Sequence, residues 1–267
     1  MSRDEKIEIA IGHRQIAGTL VRPTVAAPGI LFVHGWAGTQ DQYLARAREI
    51  ATLGYVCLTF DLHGHAENES DQDKVTREDN LKDVIAAYDR LASQTDVDAD
   101  AIGVVGSSYG GYLAAILTSL RPVRWLGMRV PALYKDEDWT VPKQQLNRRE
   151  LAIYRRGPVS ADQNRALGAC ASFRGDVLIV ECERDDVVPH PVIVNYRDAF
   201  EQAHSVTYRV IEGADHALSE PRWQEAYTAI LVNWADEMIA GAREGGAAAS
   251  GHTRRRPLPA REPSAHA

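Results

Sequence analysis

The chemistry in this chain gathers on one pentapeptide, Gly106-Ser107-Ser108-Tyr109-Gly110, of the form Gly-x-Ser-x-Gly. An apolar run from Ala101 to Val105 leads into it, and helix-forming residues from Tyr112 to Ala115 follow. In that strand–turn–helix setting the pentapeptide works as a nucleophile elbow, whose strained serine stands clear of a sheet edge. Glycine is expected at 106 and 110 because side chains there would collide across so sharp a turn. A helix starting near Tyr109 would aim its positive end at charge forming on an attacked carbonyl. Without partners, the same residues are only a Gly/Ser-containing turn.

A serine hydroxyl becomes a strong nucleophile when a base takes its proton and an acid orients that base. Of nine histidines, His216 is best placed, in Glu212-Gly213-Ala214-Asp215-His216 between the last expected strand and the last expected helix. His252 and His266 lie in the C-terminal tail, His13 in a hairpin turn, and His190 beside Pro189 and Pro191 at a helix entry. The acid should follow the preceding strand, where Asp185 and Asp186 stand side by side. One of them would orient His216, and the other would cap a turn or face solvent. The resulting order along the chain is Ser, Asp, His. Acyl transfer also needs donors for an oxyanion. The backbone N–H of Tyr109, just after the nucleophile, is one. The second is assigned to the N–H of Trp36 in His34-Gly35-Trp36-Ala37-Gly38, a loop that follows the first buried strand.

These groups need a scaffold, and apolar spacing supplies one. Ile7, Ile9 and Ile11, then Ile16, Gly18 and Leu20, alternate with polar residues around Gly12-His13, which predicts an antiparallel hairpin. Pro23 to Pro28 reads as a loop. Ile30 to Val33 is a continuous apolar run, as in a strand buried on both faces. Helical spacing covers 40–53, ended by Gly54, and a strand follows over 55–60. The polar stretch 67–77 reads as a loop, 78–92 as an amphipathic helix, and the elbow helix runs to Leu120. Strands are expected at 125–130, 177–180 and 206–211, and helices at 191–203 and 221–239. Residues 131–168 break this rhythm and read as a small cap insertion. From Gly241 onward the Gly/Ala- then Arg/Pro-rich sequence reads as a disordered tail. The expected class is therefore α/β: a mostly parallel, doubly wound sheet with an antiparallel N-terminal edge, occupying 1–240. In such sheets, sites gather at the carboxyl ends of the strands, and every motif above follows an expected strand.

Composition narrows the partners. At 267 residues and 45% hydrophobic content the chain can build one substantial core. A net charge of -7 argues against general affinity for nucleic acid or anionic membrane. Charge is uneven, since five Arg and two Glu from Gly241 on give +3 and leave -10 on the rest. Three scattered cysteines, Cys57, Cys170 and Cys182, form neither a disulfide framework nor a zinc motif. The charged start has no apolar core behind it, and no run approaches 18 apolar residues, so a cytoplasmic chain is expected. The expected partner is a small-molecule substrate, with no metal or organic cofactor.

Over residues 6–240 the chain resembles the α/β-hydrolase superfamily. The resemblance rests on His34-Gly35, Asp61-Leu62-His63-Gly64-His65, Gly106-Ser107-Ser108-Tyr109-Gly110-Gly111, Asp185-Asp186-Val187-Val188-Pro189 and Gly213-Ala214-Asp215-His216. It implies a triad with Ser108 and His216, and an acid four residues before the proline of a G-x-x-D-x-x-V-P stretch. Counting from Pro189 selects Asp185, with Cys182 where the family has glycine. The Asp61 segment is similar to the family's D-x-x-G-H-G, with Ala66 in place of the last glycine, and implies a structural role. Ser-Tyr-Gly-Gly at the elbow is similar to the prolyl-oligopeptidase and serine-aminopeptidase branches, although a large propeller does not fit in a chain of this length. Dienelactone hydrolases are of similar size but use cysteine at the elbow.

Within the insertion, Tyr134, Trp139 and Tyr154 either line a pocket or anchor the insertion to the body; anchoring is the plainer reading of each. Lys143, Arg148, Arg149, Arg155 and Arg156 could attract a carboxylate, but a solvated helix face is the plainer reading of them too. The expected activity is cleavage of an ester-type bond through an acyl-enzyme. Peptide or amide cleavage is the alternative, and a non-catalytic binding protein on the same fold is a third reading.

Overall fold

A computed structural model describes the backbone of residues 3–22 and 27–251, and the side chains of these residues except 3, 22, 67–69 and 242–251. The opening hairpin is β1 (Arg3–Ile11) and β2 (Arg14–Arg22), paired so that Ile9 faces Ile16 and Ile7 faces Gly18. Most of the loop expected at 23–28 lies outside the described residues. Then β3 (Ala27–Val33), α1 (Asp41–Thr52), β4 (Val56–Phe60), α2 (Arg77–Ala92), β5 (Val97–Ser107) and α3 (Tyr109–Leu117) alternate. After β6 (Trp125–Arg129) come the short helix α4 (Arg148–Tyr154) and α5 (Arg165–Ser172). The chain continues through β7 (Asp176–Cys182), α6 (His190–Ala199), β8 (Ser205–Ile211) and α7 (Pro221–Gly251).

All eight strands form one sheet in the order β1-β2-β4-β3-β5-β6-β7-β8. Strands β3 to β8 run parallel, and the hairpin adds the antiparallel edge. The class read from the sequence is the observed one. Helices α2, α3, α5 and α6 pack in a row, while α1 packs against α7. Apolar spacing dictates which strands are central: β4 is buried at every position, β5 from Ala101 on, and β7 from Val177 on. Helix α3 is buried along its whole length, which suits a helix of Gly, Ala, Leu, Ile and Tyr without charge.

Two expectations change. The insertion expected to end at about Gly168 gives way at Arg165 to α5, which Asn164 caps by accepting from the Ala166 and Leu167 N–H groups. Helix α5 is the crossover between β6 and β7, packing on α3 and α6, so the insertion is 131–164. The last helix runs past 239 to Gly251, into the stretch expected to be disordered; the tail beyond it lies outside the described residues. No helix among the described residues is long and apolar enough to cross a membrane.

Candidate active site

The loops after β3, β5, β7 and β8 meet at the carboxyl edge of the sheet, where sites of such sheets form. Ser108 sits at the tip of the turn between β5 and α3 with φ 51° and ψ -115°. That positive φ is costly for a residue with a side chain, and the surrounding packing enforces it. A Cβ on Gly106 would lie 2.4 Å from the Gly110 carbonyl oxygen, and one on Gly110 would lie 2.2 Å from that of Val33. Only glycine allows the turn to close so tightly. The Ser108 N–H donates to the Arg129 carbonyl (2.9 Å), and its carbonyl accepts from the Ala132 N–H (2.9 Å). Strain recurs around this edge: Ala37, Val130 and Leu218 have φ of 59°, 39° and 55°.

His216, from the loop after β8, brings Nε2 to 3.1 Å from Ser108 Oγ and Nδ1 to 2.7 Å from Asp185 Oδ2. A neutral imidazole in this chain of contacts carries its proton on Nδ1, leaving Nε2 to accept from the serine. Asp185 is 3% exposed at its side chain and also accepts from the Val187 and Val188 N–H groups through Oδ1, at 2.8 and 2.7 Å. One carboxylate thus both shapes its loop and holds the imidazole. Asp186 is exposed, and the carboxylate that pairs with His216 is that of Asp185. Ser107 is buried, and its Oγ accepts from Arg129 Nε at 3.2 Å.

The loop after β3 lies directly over the serine: a Cβ on Gly35 would be 3.5 Å from Ser108 Cβ. The N–H groups of Trp36 and Tyr109 make no hydrogen bond among the described residues. His34 anchors this loop. It donates from Nδ1 to the Gly35 carbonyl (2.7 Å) and accepts at Nε2 from the Leu62 N–H (3.0 Å), an arrangement only the neutral ring can make. Burial accordingly pushes its pKa down to about 4, and that of His65 to about 4 for the same main reason. His65 stacks edge-on against Trp36, centroids 4.7 Å apart, and Trp36 in turn meets Tyr109 at 5.4 Å. The Asp61 segment is a brace: Asp61 accepts from the backbone N–H and the side-chain amide of Gln40, both at 2.7 Å. Asn80 accepts from the Tyr109 hydroxyl at 3.1 Å, tying the elbow to α2.

One feature was not legible beforehand, and another had been given only its plainer reading. Arg129, at the end of β6, donates to the His216 carbonyl at 2.7 Å and approaches Cys182 Sγ at 3.7 Å, so it steadies the histidine loop. Its only sequence signal was a lone cation ending an apolar strand. Lys143 is the other. Its Nζ lies 4.0 Å from the Trp36 ring centroid and 5.3 and 5.7 Å from those of Tyr109 and Tyr134. It is not part of a solvated face, and burial, with Arg155, Arg148 and Arg77 nearby, pushes its pKa down to about 7. The insertion aromatics divide. Tyr134 is buried and lines the pocket beside Ser108, whereas Trp139 packs against Arg165 (4.0 Å) and the Tyr154 hydroxyl pairs with Asn164 (3.1 Å).

Two pockets open on Ser108 and His216. One, of about 310 Å³, reaches Arg129, Arg46 and Tyr227; the other, of about 830 Å³, lies under the insertion.

Comparison with known proteins agrees with this fold. Residues 42–242 match the prolyl oligopeptidase family. The α/β hydrolase ucsC of an Acremonium species is 32% identical over 115 residues, 40% of this chain and 22% of that protein. The mitochondrial palmitoyl-protein thioesterase ABHD10 of Pongo abelii is 32% identical over 111 residues, 40% of this chain and 34% of that protein. The chain thus aligns with about a third or less of these relatives' lengths. Among solved structures, Est1E of Butyrivibrio proteoclasticus with ferulic acid bound superposes with a TM-score of 0.69 at 18% identity, covering 88% of this chain and 99% of that one. The family match spans most of the chain, so this protein belongs to the prolyl oligopeptidase family.

Proposed function

We propose that the protein is a serine hydrolase that cleaves an ester-type bond of a small substrate through an acyl-enzyme on Ser108. The observation that carries this is the unbroken line from Ser108 Oγ through His216 to Asp185, at 3.1 and 2.7 Å. His216 Nε2 takes the hydroxyl proton as Oγ attacks the carbonyl carbon. The N–H groups of Tyr109 and Trp36 donate to the oxyanion. His216 then gives its proton to the leaving oxygen, the C–O bond breaks, and the acyl group stays on Ser108. Water, deprotonated by the same imidazole, releases the acid and restores the serine.

Pre-steady-state hydrolysis of p-nitrophenyl butyrate tests this: wild type should release a burst of about one p-nitrophenol per chain, and Ser108→Ala none. A burst surviving in Ser108→Ala would overturn it. Family membership favours a second reading, in which the bond cleaved is a short peptide or amide. Matched p-nitrophenyl esters and p-nitroanilides distinguish the two, since an esterase turns over the esters with much the larger kcat/KM.

A further inference from the structure

The chain is acidic, with 37 Asp and Glu against 30 Lys and Arg, yet the larger pocket at Ser108 is cationic. Its wall carries Lys143, Arg148, Arg155 and Arg156, with Asp186 as its one acid. None of the four cations makes an ion pair with a carboxylate among the described residues, whereas Lys135, outside the pocket, pairs with Glu137 (3.2 Å) and Glu150 (3.4 Å). Arg155 is 8% exposed, donates to the backbone carbonyls of Leu133 (2.9 Å) and Val187 (3.3 Å) and lies 4.8 Å from the Tyr134 ring centroid, so it is fixed in place without a carboxylate partner. Lys143 Nζ lies 4.0 Å from the Trp36 ring centroid, beside the Tyr109 and Tyr134 rings. Arg148 and Arg156 are exposed at the rim, whereas Arg155 is buried and Lys143 partly so. Buried like charges are unfavourable unless something of opposite sign joins them, and an arriving carboxylate would favour the charged form of Lys143. Between these cations and Ser108 the wall includes apolar side chains, among them Leu146, Leu151 and Val187, with Gln144 as a neutral polar one.

We propose that this pocket receives a substrate carboxylate joined to the scissile ester by an apolar spacer, with Lys143, Arg148, Arg155 and Arg156 as its counter-charges. The inference rests on Ser108 being the nucleophile and specifies what that nucleophile acts on. The spacer lies along Leu146 and Leu151, and the carboxylate supplies the negative charge that the cluster lacks. Trp36 belongs both to the oxyanion loop and to the Lys143 box, so the same ring borders the reacting carbonyl and the charge-reading end.

The test uses substrate pairs differing only in charge. Mono-p-nitrophenyl adipate is compared with its methyl ester, which places the charge on the acyl side. The butyrate ester of 4-hydroxybenzoate is compared with that of methyl 4-hydroxybenzoate, which places it on the alcohol side. In at least one pair the charged member should be favoured at least tenfold in kcat/KM. That ratio should fall at least fivefold in Lys143→Met and in Arg156→Gln, and hold in Arg149→Gln, an exposed cation outside the pocket. A ratio near one in both pairs, or a preference that survives both pocket variants, overturns the inference. If neutral esters still give a Ser108-dependent burst in that case, the hydrolase reading stands and only the substrate assignment falls. If no ester of either kind gives a burst, both fall.

Discussion

At the residue scale, the division of labour between two adjacent aspartates decides whether the triad is as drawn. Asp185 holds His216 Nδ1 at 2.7 Å, while Asp186 is exposed at the pocket rim. Asp185→Asn keeps the shape but offers the imidazole the wrong partner, favouring the tautomer that cannot accept the serine proton; kcat should fall by about four orders of magnitude. Asp186→Asn should cost less than about tenfold, as exposed substitutions usually perturb little. Steady-state kinetics on a neutral ester, with circular dichroism to show that both variants fold, checks this; equal losses would contradict it. The pair was ambiguous from residue type alone, because either carboxylate can cap a turn. The family resemblance, counted from Pro189, selects Asp185, and in the structure that carboxylate is the one beside His216. Val187 and Val188 N–H groups fold the loop around Asp185, which turns its second oxygen inward.

At the element scale, the elbow depends on three segments of chain touching at Gly110, whose Cβ position lies 2.2 and 2.5 Å from the Val33 and His34 carbonyl oxygens. Backbone cannot retreat as a flexible side chain can. Gly110→Ala should therefore cost about 3 kcal/mol, lowering Tm by about 10 °C, and should abolish the burst by displacing both the elbow and the oxyanion loop. Thermal melts and burst kinetics read the two effects, and an unchanged Tm would show that the turn is looser than drawn. Elements with a strong period were legible in advance. The β1–β2 hairpin, the central strands and α2 all followed from alternation or helical spacing. Helix α5 was hidden because it has eight residues and buries mainly small ones, Ala166, Leu167, Ala169 and Cys170, so it reads like the insertion before it. The cationic pocket was hidden for another reason. Arg148 and Arg155 lie two turns apart on one face of α4, but Lys143 lies outside that helix, and only the folding of 131–164 over Trp36 brings it to them.

At the scale of the whole molecule, the site loops rest on two buried neutral histidines, and this ties stability to pH. His34 and His65 have pKa values lowered from the usual 6.5 to about 4, chiefly by burial. Between those values the unfolded chain binds more protons than the folded one, so stability falls as the pH drops from 6.5 toward 4. The slope reaches about 1.4 kcal/mol per pH unit for each ring. His65→Phe, which preserves an aromatic contact with Trp36, should flatten that fall in Tm relative to wild type; identical slopes would contradict the assignment. On the proposed function, the sheet, the strained elbow and these braces serve one end, an activated Ser108. The most direct measurement of it is intact-protein and peptide mass spectrometry after treatment with a fluorophosphonate. The account predicts one adduct per chain, located on Ser108, lost in Ser108→Ala and formed much more slowly in Asp185→Asn. No adduct on the folded wild-type protein, or one that persists in Ser108→Ala, would contradict it.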